Sequence, residues 1–213
     1  MKIRWLGHAC FLIETEGKRI VTDPYDEKVP YAFPEVSADL VTVSHGHGDH
    51  NAVGRVGGDP GMIQGTGILE ARGISLRGIP AVHDDQGGAQ RGKNILYVFD
   101  LEGLKVAHLG DLGAPLDDAQ REALADVQVV LCPVGGFYTI DARQAAELAR
   151  QLPALRVFVP MHYNTDPIAD WPIARVDGFV ELMDNVRHVG SNEVTLDKDS
   201  LPDTLEVWIL DYA

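Results

Sequence analysis

Short apolar stretches, separated by Gly, Pro and Asp, recur along the whole chain. Most are rich in Val, Ile and Leu and too short for helices, which is typical of β-strands. The first three are joined by tight turns, and Glu16-Gly17 marks one of them. The pattern predicts strands at Lys2–Leu6, Cys10–Glu14, Arg19–Thr22, Leu40–Val43, Gly78–Val82, Asn94–Asp100, Leu104–Leu109, Val127–Cys132, Arg156–Val159 and Thr204–Leu210.

Three segments have the features of helices. Asp117–Ala125 carries acidic residues in its first turn, where they favour a helix N-terminus. Asp141–Leu152 opens with Asp141, and Gln144 follows three residues later as in a capping box. Val176–Met183 is the third predicted helix. Because strands cluster first and then alternate with helices, we expect a mixed α/β fold in which sheets pack together with helices outside.

Composition narrows the class of protein. The chain has 213 residues, of which 45% are hydrophobic, and no linker, repeat or biased segment divides it, so we predict a single domain over residues 1–213. A formal net charge of −14 without any Lys/Arg run argues against a nucleic-acid partner. No apolar stretch approaches the ~20 residues of a membrane span. We therefore expect a soluble cytoplasmic protein with no membrane partner.

The two cysteines, Cys10 and Cys132, both lie in apolar, strand-like stretches. We interpret them as small buried hydrophobic residues, although the sequence leaves a disulfide between them open. Neither belongs to a Cys-x-x-Cys pair, so a thiolate zinc site is not indicated.

The segment SHGHGDHN, Ser44–Asn51, concentrates metal-ligand residue types. Alternate residues of an extended chain point the same way, so His45, His47 and Asp49 can face one side, with His50 beside them. Imidazole and carboxylate suit Zn²⁺, Mn²⁺ or iron, and the absence of thiolates argues against a purely structural zinc. Four such residues exceed what one tetrahedral ion takes from a short loop, which favours two neighbouring ions. A histidine-rich loop that binds metal adventitiously is the alternative.

Other polar residues stand at the ends of predicted strands. LVTVS leads to His45, GIPAV to His83, LKVAHLG to Asp111, RVFVP to Met161 and His162, and RIVT to Asp23. In sheet proteins of this kind the carboxyl ends of strands form the ligand-binding edge. We therefore expect these side chains to converge although they are far apart in sequence.

Residues 45–50 resemble the signature of the metallo-β-lactamase fold hydrolases. In that family a later histidine, an aspartate and a final histidine complete the site, and His83, Asp111 and His162 match this order. WLGHACFLIE and VTDP are similar to a small branch that includes ascorbate-6-phosphate lactonase-like and phosphodiesterase-like proteins. The resemblance runs from about Trp5 to His162. It implies a four-layer αββα sandwich with the site at one edge of two sheets.

The resemblance also implies two metal positions that share one carboxylate. The ligands of the first position would be His45, His47 and His83. Those of the second would be Asp49, His50 and His162, and the bridging ligand would be Asp111. We expect two divalent ions, with zinc as the first choice and manganese or iron as alternatives.

Further residues are candidates for supporting roles. His8, between two predicted strands, is a candidate to polarise substrate or donate a proton, and a structural loop histidine is the alternative. Asp23 is predicted to orient the metal-binding loop. Tyr138, in GGFYT, is a candidate hydrogen-bond donor to substrate. The loop 84–94 is interpreted as solvated, with Arg91 or Lys93 available to an anionic group.

These features together predict an enzyme, a zinc-dependent hydrolase of a small-molecule substrate. A hydroxide bridging two divalent ions would cleave an ester, lactone, amide or phosphodiester bond, and Asp49 is a candidate to handle the proton. No Gly-x-Ser-x-Gly motif suggests a serine nucleophile instead. The alternatives are an iron-dependent oxidoreductase on the same fold and a non-catalytic metal or ligand-binding module. The complete ligand set favours hydrolysis. A homo-oligomer is compatible with the sequence, which shows no interface pattern.

Overall fold

The computed structural model describes residues 1–212 and contains two large β-sheets with few helices. In chain order the strands are β1 (Lys2–Gly7), β2 (Cys10–Thr15), β3 (Lys18–Thr22), β4 (Leu40–Thr42), β5 (Gly61–Ile63), β6 (Gly67–Ala71), β7 (Ile74–Val82), β8 (Lys93–Leu101), β9 (Leu104–His108), β10 (Val129–Pro133), β11 (Val157–Met161), β12 (Val186–His188), β13 (Glu193–Thr195) and β14 (Glu206–Ile209). The helices are α1 (Asp118–Leu124), α2 (Ala142–Gln151) and α3 (Asp177–Val180).

The first sheet has six strands in the order β13-β1-β2-β3-β4-β5, and the second has eight in the order β12-β14-β11-β10-β9-β8-β7-β6. Each sheet mixes antiparallel and parallel pairs. In the first sheet β1, β2 and β3 are antiparallel neighbours, whereas β4 runs parallel to β3 and to β5. In the second sheet the strands from β12 to β9 are parallel, and β9 to β6 are antiparallel.

The first sheet is buried on both faces, because alternate residues along its strands belong to two different apolar clusters. In β2, Phe11 and Ile13 belong to the core shared with the second sheet, whereas Cys10 and Leu12 belong to a separate apolar cluster. Successive side chains of a strand point to opposite faces, so one strand supplies both clusters. The outer cluster is completed from residues 25–38, 53–56 and 168–173, which form loops and short 3₁₀ turns.

Helix α2 packs on the other side of the molecule, against the second sheet. Asp141 caps it by accepting a hydrogen bond from the Gln144 backbone N–H, and the Gln144 side chain accepts one in return, so the predicted capping box is confirmed. Ala145, Leu148 and Ala149 are buried in the same core as β10 and β11. The mixed α/β sandwich expected from the sequence is therefore the fold of this chain.

The structure also corrects details of the predicted elements. Four strands were not predicted, namely β5, β6, β12 and β13. Each has five residues or fewer and stands at the edge of a sheet, where few apolar positions repeat. The third helix is only Asp177–Val180, half of the predicted segment. Cys10 and Cys132 are both buried and free, as interpreted, and no disulfide joins them. Within residues 1–212 no helix is long and apolar enough to span a bilayer.

The Tyr97 hydroxyl links the two sheets, and its removal should be measurable. It donates to the Val43 carbonyl at 2.9 Å and accepts from the Gly65 N–H at 3.1 Å, in a fully buried position. Tyr97→Phe leaves both backbone groups without this partner, so the free energy of unfolding should fall by about 1–3 kcal/mol. Urea unfolding measures the change. Tyr212→Phe, at a 38% exposed position, is the control and should leave stability unaltered.

Candidate metal centre

Every predicted metal ligand lies just beyond the carboxyl end of a strand. Residues 45–50 follow β4 of the first sheet, His83 follows β7, and His162 follows β11 of the second sheet. Asp111 comes three residues after the end of β9. Since both sheets present these ends at one edge of the sandwich, side chains far apart in sequence meet there, as the strand-end pattern predicted.

Asp111 stands between two groups of imidazoles, and each of its oxygens faces a different group. Oδ2 is 3.1 Å from His83 Nε2 and 3.9 Å from His45 Nε2. Oδ1 is 3.2 Å from His50 Nε2 and 3.4 Å from His162 Nε2. The carboxylate itself is 2% exposed. This arrangement gives Asp111 the geometry of a shared ligand.

The remaining predicted ligands complete the two groups. His47 Nδ1 lies 3.1 Å from His45 Nε2. One ligand atom from each of His45, His47 and His83 lies within 4.8 Å of the other two. The same limit holds for a second group: His8, Asp49, His50 and His162. The structure therefore brings together all seven residues of the predicted set, and adds His8 to the second group.

Asp23 orients the metal-binding loop through three hydrogen bonds. Its carboxylate accepts from the Ser44 backbone N–H at 2.8 Å, from the Ser44 hydroxyl, and from His50 Nδ1 at 2.8 Å. A histidine that donates from Nδ1 keeps its Nε2 lone pair for a metal. The third of these contacts, with His50, therefore fixes the ring orientation that a ligand at this position needs.

Buried polar atoms without partners show that the site fits a cation. His50 Nε2 and Asp111 Oδ1 are both buried, lack any hydrogen-bond partner within residues 1–212, and face each other across 3.2 Å. Buried polar atoms left without a partner are costly. A divalent ion between nitrogen and oxygen donors removes that cost. The donor set of imidazoles and carboxylates is one that zinc, manganese and iron accept.

The electrostatics of the site hold its carboxylates ionised. Burial on its own raises the pKa of Asp111, but the adjacent His162 and His50 bring that pKa well below its usual range. Burial lowers the pKa of His50, yet the carboxylates of Asp111 and Asp23 raise it well above its ordinary value. Burial, followed by repulsion from His50, lowers the pKa of His45 to about 3. Positive and negative groups thus stabilise one another among these largely buried side chains.

His8 is a buried neighbour of the second group. Its Nε2 lies 3.3 Å from Asp49 Oδ2, and its ring centroid is 4.2 Å from that of His162. Its carbonyl accepts from the Trp5 indole N–H and from the His162 backbone N–H. Burial lowers the pKa of His8 to about 4, so the imidazole is neutral at pH 7. It can therefore donate a hydrogen bond to Asp49 but carries no positive charge there.

The backbone around the site adopts conformations that few residues tolerate. His8, Asp23 and His162 have positive φ angles of 54°, 41° and 50°. Asp and His occupy this left-handed region more readily than most side chains. At Gly110, also at positive φ, an added Cβ would lie 2.5 Å from both the Asn94 side chain and Ser44 Cβ. Only glycine lets the turn that carries Asp111 approach so closely.

With this geometry established, known proteins can be compared with the chain. Residues 2–162 match the family model described as the beta-lactamase superfamily domain. A UPF0173 metal-dependent hydrolase of Thermococcus kodakarensis is 34% identical, over 81% of this chain and 89% of the relative.

The chain belongs to the metallo-beta-lactamase superfamily.

Solved structures of this superfamily agree. A Thermotoga maritima protein of the superfamily, for which a zinc-dependent hydrolase function has been proposed, is 40% identical, with a TM-score of 0.82 over 100% of this chain and 99% of the other. Igni18, a metallo hydrolase of Ignicoccus hospitalis, is 26% identical, with a TM-score of 0.61 over 78% of this chain and 84% of the other. The chain is a metal-dependent hydrolase with the metallo-beta-lactamase fold.

Candidate ligands of both groups open into a cavity of about 450 Å³. Its further lining includes Tyr138, as the sequence suggested, and also Arg91 and Trp171. Trp171 was not predicted, because it lies in the segment 164–175, where no strand or helix pattern pointed to the site. Asn164 holds this segment in place through its side-chain NH₂, which donates to the carbonyls of Ile168 and Trp171.

A second cavity of about 700 Å³ is lined by one candidate metal ligand, His45. Lys93 lines this second cavity, whereas Arg91 lines the metal cavity, so the two basic residues of the loop face different spaces. The sequence suggested that the loop 84–94 is solvated. In the structure, two of its side chains also line cavities. We assign the chemistry to the smaller cavity because it contains Asp111 and ligands of both groups.

The role of Asp23 can be tested with a substitution that preserves the backbone. Asn tolerates positive φ about as well as Asp does, so Asp23→Asn should fold. The amide has only one acceptor oxygen for three donors, which disturbs the orientation of His50. Zinc affinity should fall by about 10–100-fold, measured by competition with a chelator. Asp203→Asn, at an exposed position, should bind zinc like the unaltered protein. Equal affinities of the two variants would contradict this role.

Proposed function

We propose that the chain is a dinuclear hydrolase that cleaves an ester, lactone, amide or phosphodiester bond of a small molecule. The observation that carries the proposal is the position of Asp111, whose two oxygens face two different groups of ligands. One group alone would describe a site for a single ion. A carboxylate shared between two groups is what a pair of closely spaced ions requires.

The residues that would hold each ion follow from the contacts. His45, His47 and His83 would hold the first, on the Oδ2 side of Asp111, and Asp49, His50 and His162 the second, on the Oδ1 side. When bound, two zinc ions, or manganese or iron in their place, would make hydroxide available at neutral pH and would stabilise the negative charge that develops at the attacked centre.

The side chains around the ligands have separate tasks. His8 donates from Nε2 to Asp49 Oδ2, 3.3 Å away, and holds that carboxylate in place beside His50. Asp49, which is part-exposed, is the acceptor available for a proton released during hydrolysis. Tyr138 lines the same cavity and presents a hydroxyl that can donate to a substrate oxygen.

The size of the cavity supports a small-molecule substrate. About 450 Å³ is in the range of sites for metabolites and other small ligands, which extends over roughly 300–1,000 Å³. Trp171 and Tyr138 form apolar walls beside the polar ligands, so a bound molecule would displace water from the reacting bond. A polynucleotide is disfavoured by the net charge of −14.

Removing single ligands tests the proposal. His47→Ala and Asp111→Ala should each lose bound metal and lose more than about 100-fold in kcat/KM, because the hydroxide and the charge stabilisation both depend on the ions. Elemental analysis measures the metal. Activity is followed on a panel that contains 4-nitrophenyl acetate, a simple lactone and bis(4-nitrophenyl) phosphate.

His188→Ala is the matched control, since His188 is exposed and outside both ligand groups. It should keep the metal content and activity of the unaltered protein. Far-ultraviolet circular dichroism should show that all three variants fold. Full activity of His47→Ala or Asp111→Ala would contradict the proposed dinuclear hydrolase. One tightly bound iron per chain, together with oxygen-consuming activity, would contradict it as well.

A further inference from the structure

Arg91 is the one Lys or Arg side chain among the residues that line the metal cavity. Its guanidinium carbon lies 5.4 Å from the centroid of the Tyr138 ring, and the residue is partly buried. Among residues 1–212, no carboxylate forms an ion pair with it, whereas Arg4 and Arg175 have such partners in Glu193 and Asp166. In a chain with 32 acidic and 18 basic residues, an arginine left without a carboxylate inside the site requires an explanation.

The loop that carries Arg91 is built around a buried carboxylate. Asp84, directly after His83, is 3% exposed and accepts backbone N–H bonds from Gln86, Gly88, Gln90 and Arg91 at 2.7–3.0 Å. The loop is also closed at its base, where the His83 N–H donates to the Gly92 carbonyl. This scaffold fixes the backbone from which Arg91 enters the cavity.

None of the acidic residues that line the cavity forms an ion pair with Arg91 in the described part of the chain. Asp49 and Asp111 face imidazoles, and Asp170, also in the lining, forms no ion pair with Arg91 in the described part of the chain. A guanidinium that lies over an aromatic ring keeps its N–H donors free for another partner. Those donors match the two oxygens of a carboxylate or phosphate.

We propose that Arg91 binds an anionic group, a carboxylate or a phosphate, which the substrate carries apart from the bond that is cleaved. The substrate class is then a small organic acid or phosphate ester, and its body lies against Tyr138 and Trp171. This inference rests on the proposed function, because it places the reacting bond at the Asp111 ligands of the same cavity. Arg91 is a specificity-determining residue that holds one end of the substrate.

The test uses binding rather than turnover. Zinc-loaded protein is titrated calorimetrically with the linear dicarboxylates from malonate to adipate, and with monocarboxylates of the same carbon number. One carboxylate of each probe can occupy the metal site, and only dicarboxylates can also reach Arg91. The best dicarboxylate should bind about tenfold more tightly than its monocarboxylate counterpart, as one charge-assisted pair in a partly buried site gives. The matching phosphonocarboxylate distinguishes a phosphate site from a carboxylate site.

Variants assign the preference to Arg91. Arg91→Met keeps an unbranched apolar stem and the backbone N–H bond to Asp84 but removes the guanidinium, and should abolish the preference for dicarboxylates. Arg91→Lys should keep part of it, because the charge stays and the paired donors are lost. Arg143→Met, at an exposed position on α2, should keep all of it. Absence of the preference in the unaltered protein, or its persistence in Arg91→Met, would overturn the inference.

Failure of the inference and failure of the proposed function give different results. Metal content is measured on each sample before titration. If each chain binds two ions and Arg91→Met does not change the preference for dicarboxylates, the dinuclear site is supported and the anion site is contradicted. Fewer than two ions contradict the proposed function, and the titrations still decide the role of Arg91, because Arg91→Met and Arg143→Met are compared at equal metal loading.

Discussion

A buried carboxylate with imidazoles on both sides is the interaction on which the rest of this structure depends. Asp111 is almost fully removed from water, and its oxygens face His83 on one side, His50 and His162 on the other. Burying such a charge is costly unless positive charge lies close to it. Here the partners of Asp111 come from the ends of strands in both sheets. The metal centre can therefore assemble only when the two sheets pack against each other. Gly110 allows it by letting the Asp111 turn pass against Ser44.

Much of this arrangement could be predicted from the sequence, for identifiable reasons. Central strands such as β11 are continuous apolar stretches, and His162 follows β11 directly, so both the sandwich and the strand-end site were predictable. The edge strands β5 and β6 were not, because pairing with a neighbour defines them and their own pattern is weak. Trp171 and the scaffold of Asp84 also escaped prediction. Their positions depend on tertiary hydrogen bonds, which leave no periodic signal in the chain.

The membership of the chain in its superfamily gives the class of chemistry, and the cavity narrows the class of substrate. Fold alone supports many reactions, so the substrate must be inferred from the side chains around the metal ligands. In this chain they include two aromatic residues, Tyr138 and Trp171, and Arg91, which has no carboxylate partner among residues 1–212. The acidic balance of the whole molecule disfavours polyanions, whereas the local charge at Arg91 favours a small anion. Under the proposed role of Arg91, repulsion by the whole molecule and attraction at this arginine would select substrates by size as well as by charge.

The central claim is that Asp111 binds two ions at once, and anomalous X-ray diffraction tests it most directly. Crystals of the full chain grown with zinc would be measured above and below the zinc absorption edge. The account predicts two anomalous peaks, one next to each oxygen of Asp111. The peak near Oδ2 should also contact His83, and the peak near Oδ1 should also contact His50 and His162. A single peak, or peaks that do not touch Asp111, would contradict the account.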